Sequence, residues 1–313
     1  MLLKQILEVY DLLDDGHTCG QKIVDYLKGI REDADVETYT ITGDGGKTDM
    51  VKVRIPGSNG KTVGGNAPTL GILGRLGAVG ARPEMIGYVS DGDGALAALA
   101  VAAKLLDMKN KGDDLPGDVF ISTHVCPDAP TQPHDPVPFM GSPVSIAQVN
   151  KEEVSPDLDA IFSIDTTKGN RVINTRGFAI SQPVKEGYIL RGSEGLLDIM
   201  QRTTGRLPYV FPVNMQDITP YGNDVHHLNS IMQPCTCTDA PVVGVAITTE
   251  TMVPGCGSGC SHPIDVEEAA RFVLEAAKSF GRGEFEFYDK NEFAHMVDLY
   301  GSMKQLQTLG KNN

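Results

Sequence analysis

The segment MIGYVSDGDGALAALAVAAKLL, residues 85–106, decides the fold class of this chain. A short apolar run, Met85–Val89, leads through a turn with the sequence DGDG at residues 91–94 into the small and apolar residues of 95–106. This pattern predicts a strand, a tight turn and a buried helix, the unit from which parallel sheets are built.

The same strand signal returns along the chain, and helical periodicity precedes and follows it. Further strands are predicted at 36–41, 50–55, 118–123, 160–164 and 242–247, and helices at 2–13, 18–27 and 266–280. Asp265 and Glu268 have the spacing of a capping box at the start of the last of these helices. We therefore predict an α/β protein, a three-layer α/β/α sandwich with a mostly parallel central sheet.

The domain organisation is predicted to be simple, because the 313 residues contain no internal repeat and no low-complexity segment. We expect one domain over residues 1–313, with N-terminal helices and edge strands in 1–68, the core in 69–280 and a C-terminal strand and helix in 281–313. Pro127–Pro143 holds six of the 19 prolines, so an ordered irregular loop is expected there.

The net charge and the hydropathy of the chain limit the classes of partner that it is expected to bind. The net charge of −14 argues against a nucleic-acid partner, because phosphate backbones are bound by clustered Lys and Arg. No window reaches the roughly 18 to 20 apolar residues of a membrane span. Lys4, Glu8 and Asp11 interrupt the first apolar stretch, which argues against a signal peptide. We expect a cytoplasmic protein with no membrane partner and with its six cysteines as thiols.

Acidic and histidine residues follow the predicted strands, where parallel sheets bind ligands. Asp91 follows the strand predicted at 85–89, and Asp165 follows the strand at 160–164. His124 and Asp128 follow the strand at 118–123, and His262 precedes the helix predicted at 266–280. Carboxylates and neutral imidazole are the ligands of divalent metals. We predict that Asp91, Asp128, Asp165 and His262 share one cleft and bind a divalent metal ion, with zinc the expected one.

Each of these residues also has a structural alternative. Asp91 could cap the following helix, Asp128 and Asp165 could be turn residues, and His262 could be an ordinary residue at a helix start. A separate four-thiolate zinc site, formed by Cys235, Cys237, Cys256 and Cys260, is an alternative with unusually short spacing in its first pair.

The chain resembles a bacterial family of unknown function and, through it, the dinuclear-metal aminopeptidases of the tetrahedral type. Residues 90–99 are similar to the segment that carries the metal-bridging aspartate, and residues 117–123 to the strand before a pair of glutamates. Residues 164–167 are similar to the strand end with an aspartate ligand, and residues 261–263 to the last histidine ligand. The resemblance spans roughly residues 1–280 and implies a zinc-exopeptidase-like fold.

Two departures from that family change the expected chemistry. Arg75-Leu76-Gly77 stands where the family has its first ligand histidine and an orienting aspartate, and Pro127-Asp128 stands in place of the glutamate pair. A guanidinium has no acceptor atom and cannot ligate a metal. We therefore expect Arg75 to replace one metal ion by pairing with Asp165 or Asp91.

The missing glutamate of this pair is the family's general base. His124 and His134 are the candidates that remain for this role.

The first functional hypothesis is a metal-dependent hydrolase related to aminopeptidases, acting on a small peptide-like or acylated amino-acid substrate. The alternative is a catalytically altered or inactive exopeptidase-like protein that binds a small molecule or peptide. A third possibility is a lyase or isomerase that uses Arg75 as an anion clamp.

A homo-oligomer is also predicted, since the related exopeptidases assemble. The C-terminal helix predicted within residues 281–313 has an apolar side formed by Phe293, Met296, Val297 and Leu299.

Overall fold

The computed structural model describes residues 2–228, 230–253 and 256–310, so the outermost residues of the predicted domain, 1 and 311–313, lie outside it. The helices within these ranges are α1 (Leu3–Leu13), α2 (Gly20–Ile30), α3 (Asp93–Asn110), α4 (Ile146–Glu153), α5 (Glu194–Thr204), α6 (Pro263–Gly281) and α7 (Lys290–Tyr300). The strands are β1 (Asp35–Gly43), β2 (Gly46–Ile55), β3 (Leu70–Gly74), β4 (Val119–Val125), β5 (Thr131–Gln132), β6 (Phe139–Met140), β7 (Ala160–Thr166), β8 (Gly177–Ser181), β9 (Val184–Lys185), β10 (Tyr188–Ile189), β11 (Val210–Phe211) and β12 (Val242–Thr248).

The central sheet has the strand order β1-β2-β4-β3-β7-β12-β8-β11. Its four middle strands, β4, β3, β7 and β12, are parallel to one another. Antiparallel pairing begins on either side, between β2 and β4 and between β12 and β8. The predicted α/β architecture with a mostly parallel central sheet is confirmed.

The middle strands form continuous apolar runs because both faces of the sheet are covered. Every residue of β3, β4, β7 and β12 is buried. On β7, Phe162 and Ile164 pack into a core shared with α1, α2, α3, α5 and α6, whereas Ile161 faces a second core on the opposite side. Two apolar layers therefore sandwich the sheet.

The strand that leads towards α3 is not the one predicted. Met85–Val89 is irregular, and β3 at 70–74 takes the place in the sheet between β4 and β7. Val89 instead packs with Ala78, Ala81 and Cys126 in a small cluster of its own. The predicted strand at 85–89 is therefore wrong, and residues 75–89 form a long connection over the carboxyl ends of the strands.

The remaining local predictions have mixed outcomes. Pro127–Pro143 is irregular apart from the short pair β5 and β6, as expected. The C-terminal strand expected within 281–313 is absent from the described structure, where Phe285 and Phe287 pack in an aromatic cluster with Phe280. The predicted capping box is also wrong, because α6 begins at Pro263 with His262 as its N-cap.

The predicted oligomer contact lies on α7, whose residues are all partly or fully exposed. Phe293 stacks edge-on against Tyr188 and Tyr288 of the same chain, while Leu299 remains exposed. The oligomer stays a prediction. In the described ranges, no helix is both long and apolar enough to cross a membrane.

Candidate functional site

Charged side chains gather beyond the carboxyl ends of β3 and β7, beside the start of α3. We call this group the acidic edge and define it as Arg75, Asp91, Asp93, Glu153, Asp165 and Lys168. Glu153 and Asp93 are fully buried, Asp91 and Asp165 keep only 6% and 4% of their surface exposed, and Lys168 is nearly buried at its side chain. Parallel topology brings these groups together, since the ends of neighbouring parallel strands share one edge of the sheet.

Arg75 directly follows β3 and is completely buried. Its backbone N–H donates to the Ile164 carbonyl at 2.7 Å, which extends the pairing of β3 with β7. The guanidinium Nη1 donates to Glu153 Oε2 at 2.8 Å and to Asn150 Oδ1 at 2.9 Å. The expected direct pairing with Asp165 or Asp91 is replaced by this pair with Glu153.

Two further guanidinium nitrogens of Arg75, Nε and Nη2, have no hydrogen-bond partner among the described residues. The positive charge nevertheless acts on its surroundings, because it opposes the effect of burial on the pKa of Glu153 and of Asp165. Arg75 is therefore a fixed cation inside the acidic edge.

Glu153, Asp93 and Lys168 are the residues of the acidic edge that sequence reasoning missed. Glu153 ends α4, and Asn150 lies one turn earlier on the same helix and donates to the Gln233 carbonyl at 3.2 Å. Burial raises the pKa of Glu153 to about 7 even though Arg75 lies beside it. The spacing of Ser145 and Gln148, which form a capping box at the start of α4, was the available sequence signal for this helix.

Asp165 lies near the end of β7 with both carboxylate oxygens occupied. Oδ1 accepts from the Thr166 N–H at 2.8 Å, and Oδ2 accepts from Ser230 Oγ at 2.9 Å. Burial raises the pKa of Asp165 to about 7, although Arg75 and these donors favour the ionised form.

Asp91 and Asp93 flank the start of α3. Burial, reinforced by the negative charge of Asp165, raises the pKa of Asp91 well above its usual range. Asp91 Oδ2 has no hydrogen-bond partner in the described part of the chain. Burial also raises the pKa of Asp93 to about 6, against the attraction of Lys168, whose Nζ lies 3.5 Å from Asp93 Oδ2. Ser261 Oγ donates to the other oxygen of Asp93.

The four predicted metal ligands occupy different surroundings. Asp165 lies close enough to Asp91 to raise the pKa of Asp91, whereas Asp128 is exposed and contacts the Cys126 thiol at 3.5 Å. His262 is exposed at the start of α6, with Nε2 3.7 Å from Cys260 Sγ. It opposes the effect of burial on the pKa of Asp93.

No three His, Cys, Asp or Glu side chains within residues 2–228, 230–253 and 256–310 form a group that could hold a metal ion. Structural zinc takes four ligands, and catalytic zinc takes three together with a water. The donors present do not fit a zinc centre of the predicted type, and the same holds for the four-thiolate alternative.

The two histidines considered as general bases also differ from each other. His124 is buried, its Nε2 accepts from the Gly77 N–H at 3.1 Å, and its Nδ1 lies 2.8 Å from Thr48 Oγ1. Burial lowers the pKa of His124 to about 3, so the ring is neutral and both nitrogens serve the fold. His134 is exposed in the proline-rich loop, with Nδ1 3.2 Å from the Val137 carbonyl.

Comparison with known proteins agrees with the α/β fold. Among solved structures, the chain is similar to the cytosol aminopeptidase from Coxiella burnetii, with 12% sequence identity and a TM-score of 0.51 over 90% of this chain and 69% of that one. At this identity the likeness concerns the α/β fold alone. No curated protein matches the chain. Residues 39–310 match the family described as "Protein of unknown function (DUF1177)", and the chain therefore belongs to the DUF1177 family.

Proposed function

We propose that the acidic edge binds the ammonium group of a small peptide-like molecule, on an exopeptidase-like fold whose hydrolytic chemistry is altered. One observation carries this proposal: four buried carboxyl groups share the edge with only two cations, Arg75 and Lys168. With all six groups ionised, the edge has an excess of two negative charges. Such a buried excess is costly unless protons or a further cation neutralise it.

The position that most needs a cation is Asp91. Its carboxyl group is repelled by Asp165, and its Oδ2 has no partner among the described residues. Both aspartates are nearly buried and Asp91 Oδ2 is itself buried, so binding of a ligand requires a local opening of the acidic edge. An ammonium group has three donors and no acceptor, which matches a site made of carboxylate oxygens.

An ammonium group suits this site better than a metal ion for a geometric reason. A divalent metal needs several ligands at fixed short distances, and the described residues provide no such group. An ammonium group needs only hydrogen-bond acceptors. The site therefore favours a peptide-like molecule with a free N-terminal amino group over an N-acylated amino acid. Arg75 remains paired with Glu153 and need not move.

The second candidate is the metal-dependent hydrolase of small peptide-like or acylated amino-acid substrates. The repulsion between Asp91 and Asp165 favours it too, because a divalent cation between them would relieve the same excess charge. The two candidates differ in what neutralises the pair and in whether an amide bond is cleaved.

The proposal is tested by calorimetric titration of chelator-treated protein with the dipeptide Leu-Gly and with its N-acetylated form. We expect binding of the free dipeptide only, and a loss of at least about tenfold in affinity in Asp91→Asn, because hydrogen bonds to charged groups contribute about 1.5 to 3 kcal/mol. Asp128→Asn, which removes an exposed carboxylate, is the matched control and should bind as the wild type does.

Equal binding of the acetylated peptide would overturn the proposal. Zinc-dependent hydrolysis of leucine amide, abolished in Asp91→Asn and retained in Asp128→Asn, would establish the second candidate in its place.

A further inference from the structure

A cavity of about 400 Å³ lies beside the acidic edge. Its floor is formed by buried apolar side chains, among them Ile173, Phe211 and Met232. Its rim is apolar and exposed: Val172, Leu228 and Met252 keep 48%, 59% and 75% of their surface accessible. A cavity of this size with an apolar floor is typical of sites for small apolar molecules.

The cavity is a neighbour of the acidic edge and not part of it. Thr167, two residues beyond Asp165, is the lining residue that connects the two. The one acidic residue in the lining is Asp217, whose Oδ1 accepts from the Leu228 N–H at 2.7 Å. Asp217 therefore helps to hold the rim in place.

Arg171 stands in the lining as a cation without a counter-charge. In the described structure, its side chain forms no ion pair and no hydrogen bond, and the residue is exposed. The backbone around Arg171 is held in place, because Asn170 Oδ1 accepts from the N–H groups of Val172 and Ile173 at 2.8 and 2.9 Å. Tyr209 Oη also donates to the Val172 carbonyl at 2.9 Å.

We infer that this cavity binds an aliphatic carboxylate, with the hydrocarbon chain on the apolar floor and the carboxylate on Arg171. The unpaired guanidinium selects an anionic head group, since Arg binds carboxylates through two parallel hydrogen bonds. The buried Asp217 carboxylate repels a second carboxylate, so the head group stays at the exposed end. This inference does not depend on ammonium binding at the acidic edge.

Calorimetric titration with hexanoate, octanoate, decanoate and octylamine tests the site. Each buried methylene should tighten binding about fourfold until the cavity is full, from about 0.8 kcal/mol per methylene. We expect one octanoate per chain, bound at least about tenfold more tightly than octylamine, because only the carboxylate can pair with Arg171.

Matched variants separate the cavity from general electrostatic attraction. Arg171→Glu and Lys28→Glu each reverse one exposed positive charge, and Lys28 lies on α2, outside the cavity lining. We expect Arg171→Glu to lose octanoate affinity by at least about tenfold while Lys28→Glu changes it by less than about twofold. Equal affinity in both variants, no dependence on chain length, or octylamine binding as tightly as octanoate would each overturn the inference.

Discussion

Replacing Arg75 with methionine tests the buried ion pair at the acidic edge. The side chains of Arg75 and Glu153 are both fully buried, and Nη1 lies 2.8 Å from Oε2. Removing one partner of such a pair leaves an uncompensated buried charge and costs about 3 to 5 kcal/mol of stability. Methionine retains the apolar stem of the side chain but not the guanidinium, so the loss combines the unpaired charge of Glu153 with the space that the guanidinium leaves, and only the first depends on pH.

The pH dependence of this loss follows from Glu153. Burial already raises the pKa of Glu153 to about 7, and removing Arg75 raises it further, so the carboxyl group is protonated in the variant at moderately acidic pH. The destabilisation should therefore be largest near about pH 8 and should shrink towards about pH 5. Arg75→Met with Glu153→Gln should recover much of the loss, since Glu153 is then no longer a buried charge without its partner.

The assay is urea denaturation followed by far-ultraviolet circular dichroism, which does not depend on tryptophan, a residue this chain lacks. Arg54→Met is the control, because Arg54 pairs with Glu37 at the surface with about half of each side chain exposed. Exposed pairs contribute about 0 to 1 kcal/mol. A loss in Arg75→Met no larger than that in Arg54→Met would refute the reasoning.

Three further expectations concern single residues. The raised pKa of Asp165, from 3.8 to about 7, contributes stability that is fully present below the lower value, and about 4 kcal/mol of this contribution is lost as the pH rises through the higher one. Asp165→Asn should therefore flatten the stability curve over that window. Gly94→Ala should cost about 3 kcal/mol or more, because a Cβ there would lie 2.1 Å from the Arg75 carbonyl oxygen, whereas Gly29→Ala on α2 meets nothing within 4 Å and should stabilise by about 0.5 to 1 kcal/mol. Asp128→Asn should change stability by less than about 0.5 kcal/mol, since Asp128 is exposed. Urea denaturation checks all three, and a flat pH profile in the wild type, a silent Gly94→Ala or a costly Asp128→Asn would contradict the corresponding argument.

The fold could be predicted where local sequence and tertiary environment agree. β4, β7 and β12 are continuous apolar runs because they lie in the buried middle of the sheet. β3 was overlooked because its sequence contains Gly71 and Gly74, which weaken a strand signal. Gly74 is needed there, since a Cβ would lie 2.6 Å from the Gly94 carbonyl oxygen at the start of α3. The sequence shows the glycine but not the helix that approaches it.

The candidate site could be predicted only in part for a similar reason. Asp91, Asp165 and Arg75 follow or flank elements that parallel topology brings to one edge, so their grouping was foreseeable. Glu153 lies 78 residues from Arg75 in the chain, and only the packing of α4 brings the two together. Asp128 follows a middle strand too, but its loop turns the side chain to solvent. Topology predicts which strand ends meet, whereas loop geometry decides which side chains do.

The most direct test of ammonium binding at the acidic edge is a crystal structure of chelator-treated protein with leucine amide. We expect the ammonium nitrogen of leucine amide to lie between Asp91 and Asp165, about 2.7 to 3.2 Å from Asp91 Oδ2, with Arg75 still paired to Glu153. A ligand bound elsewhere, or a residual divalent metal ion coordinated by Asp91 and Asp165 with the amide on it, would contradict that claim.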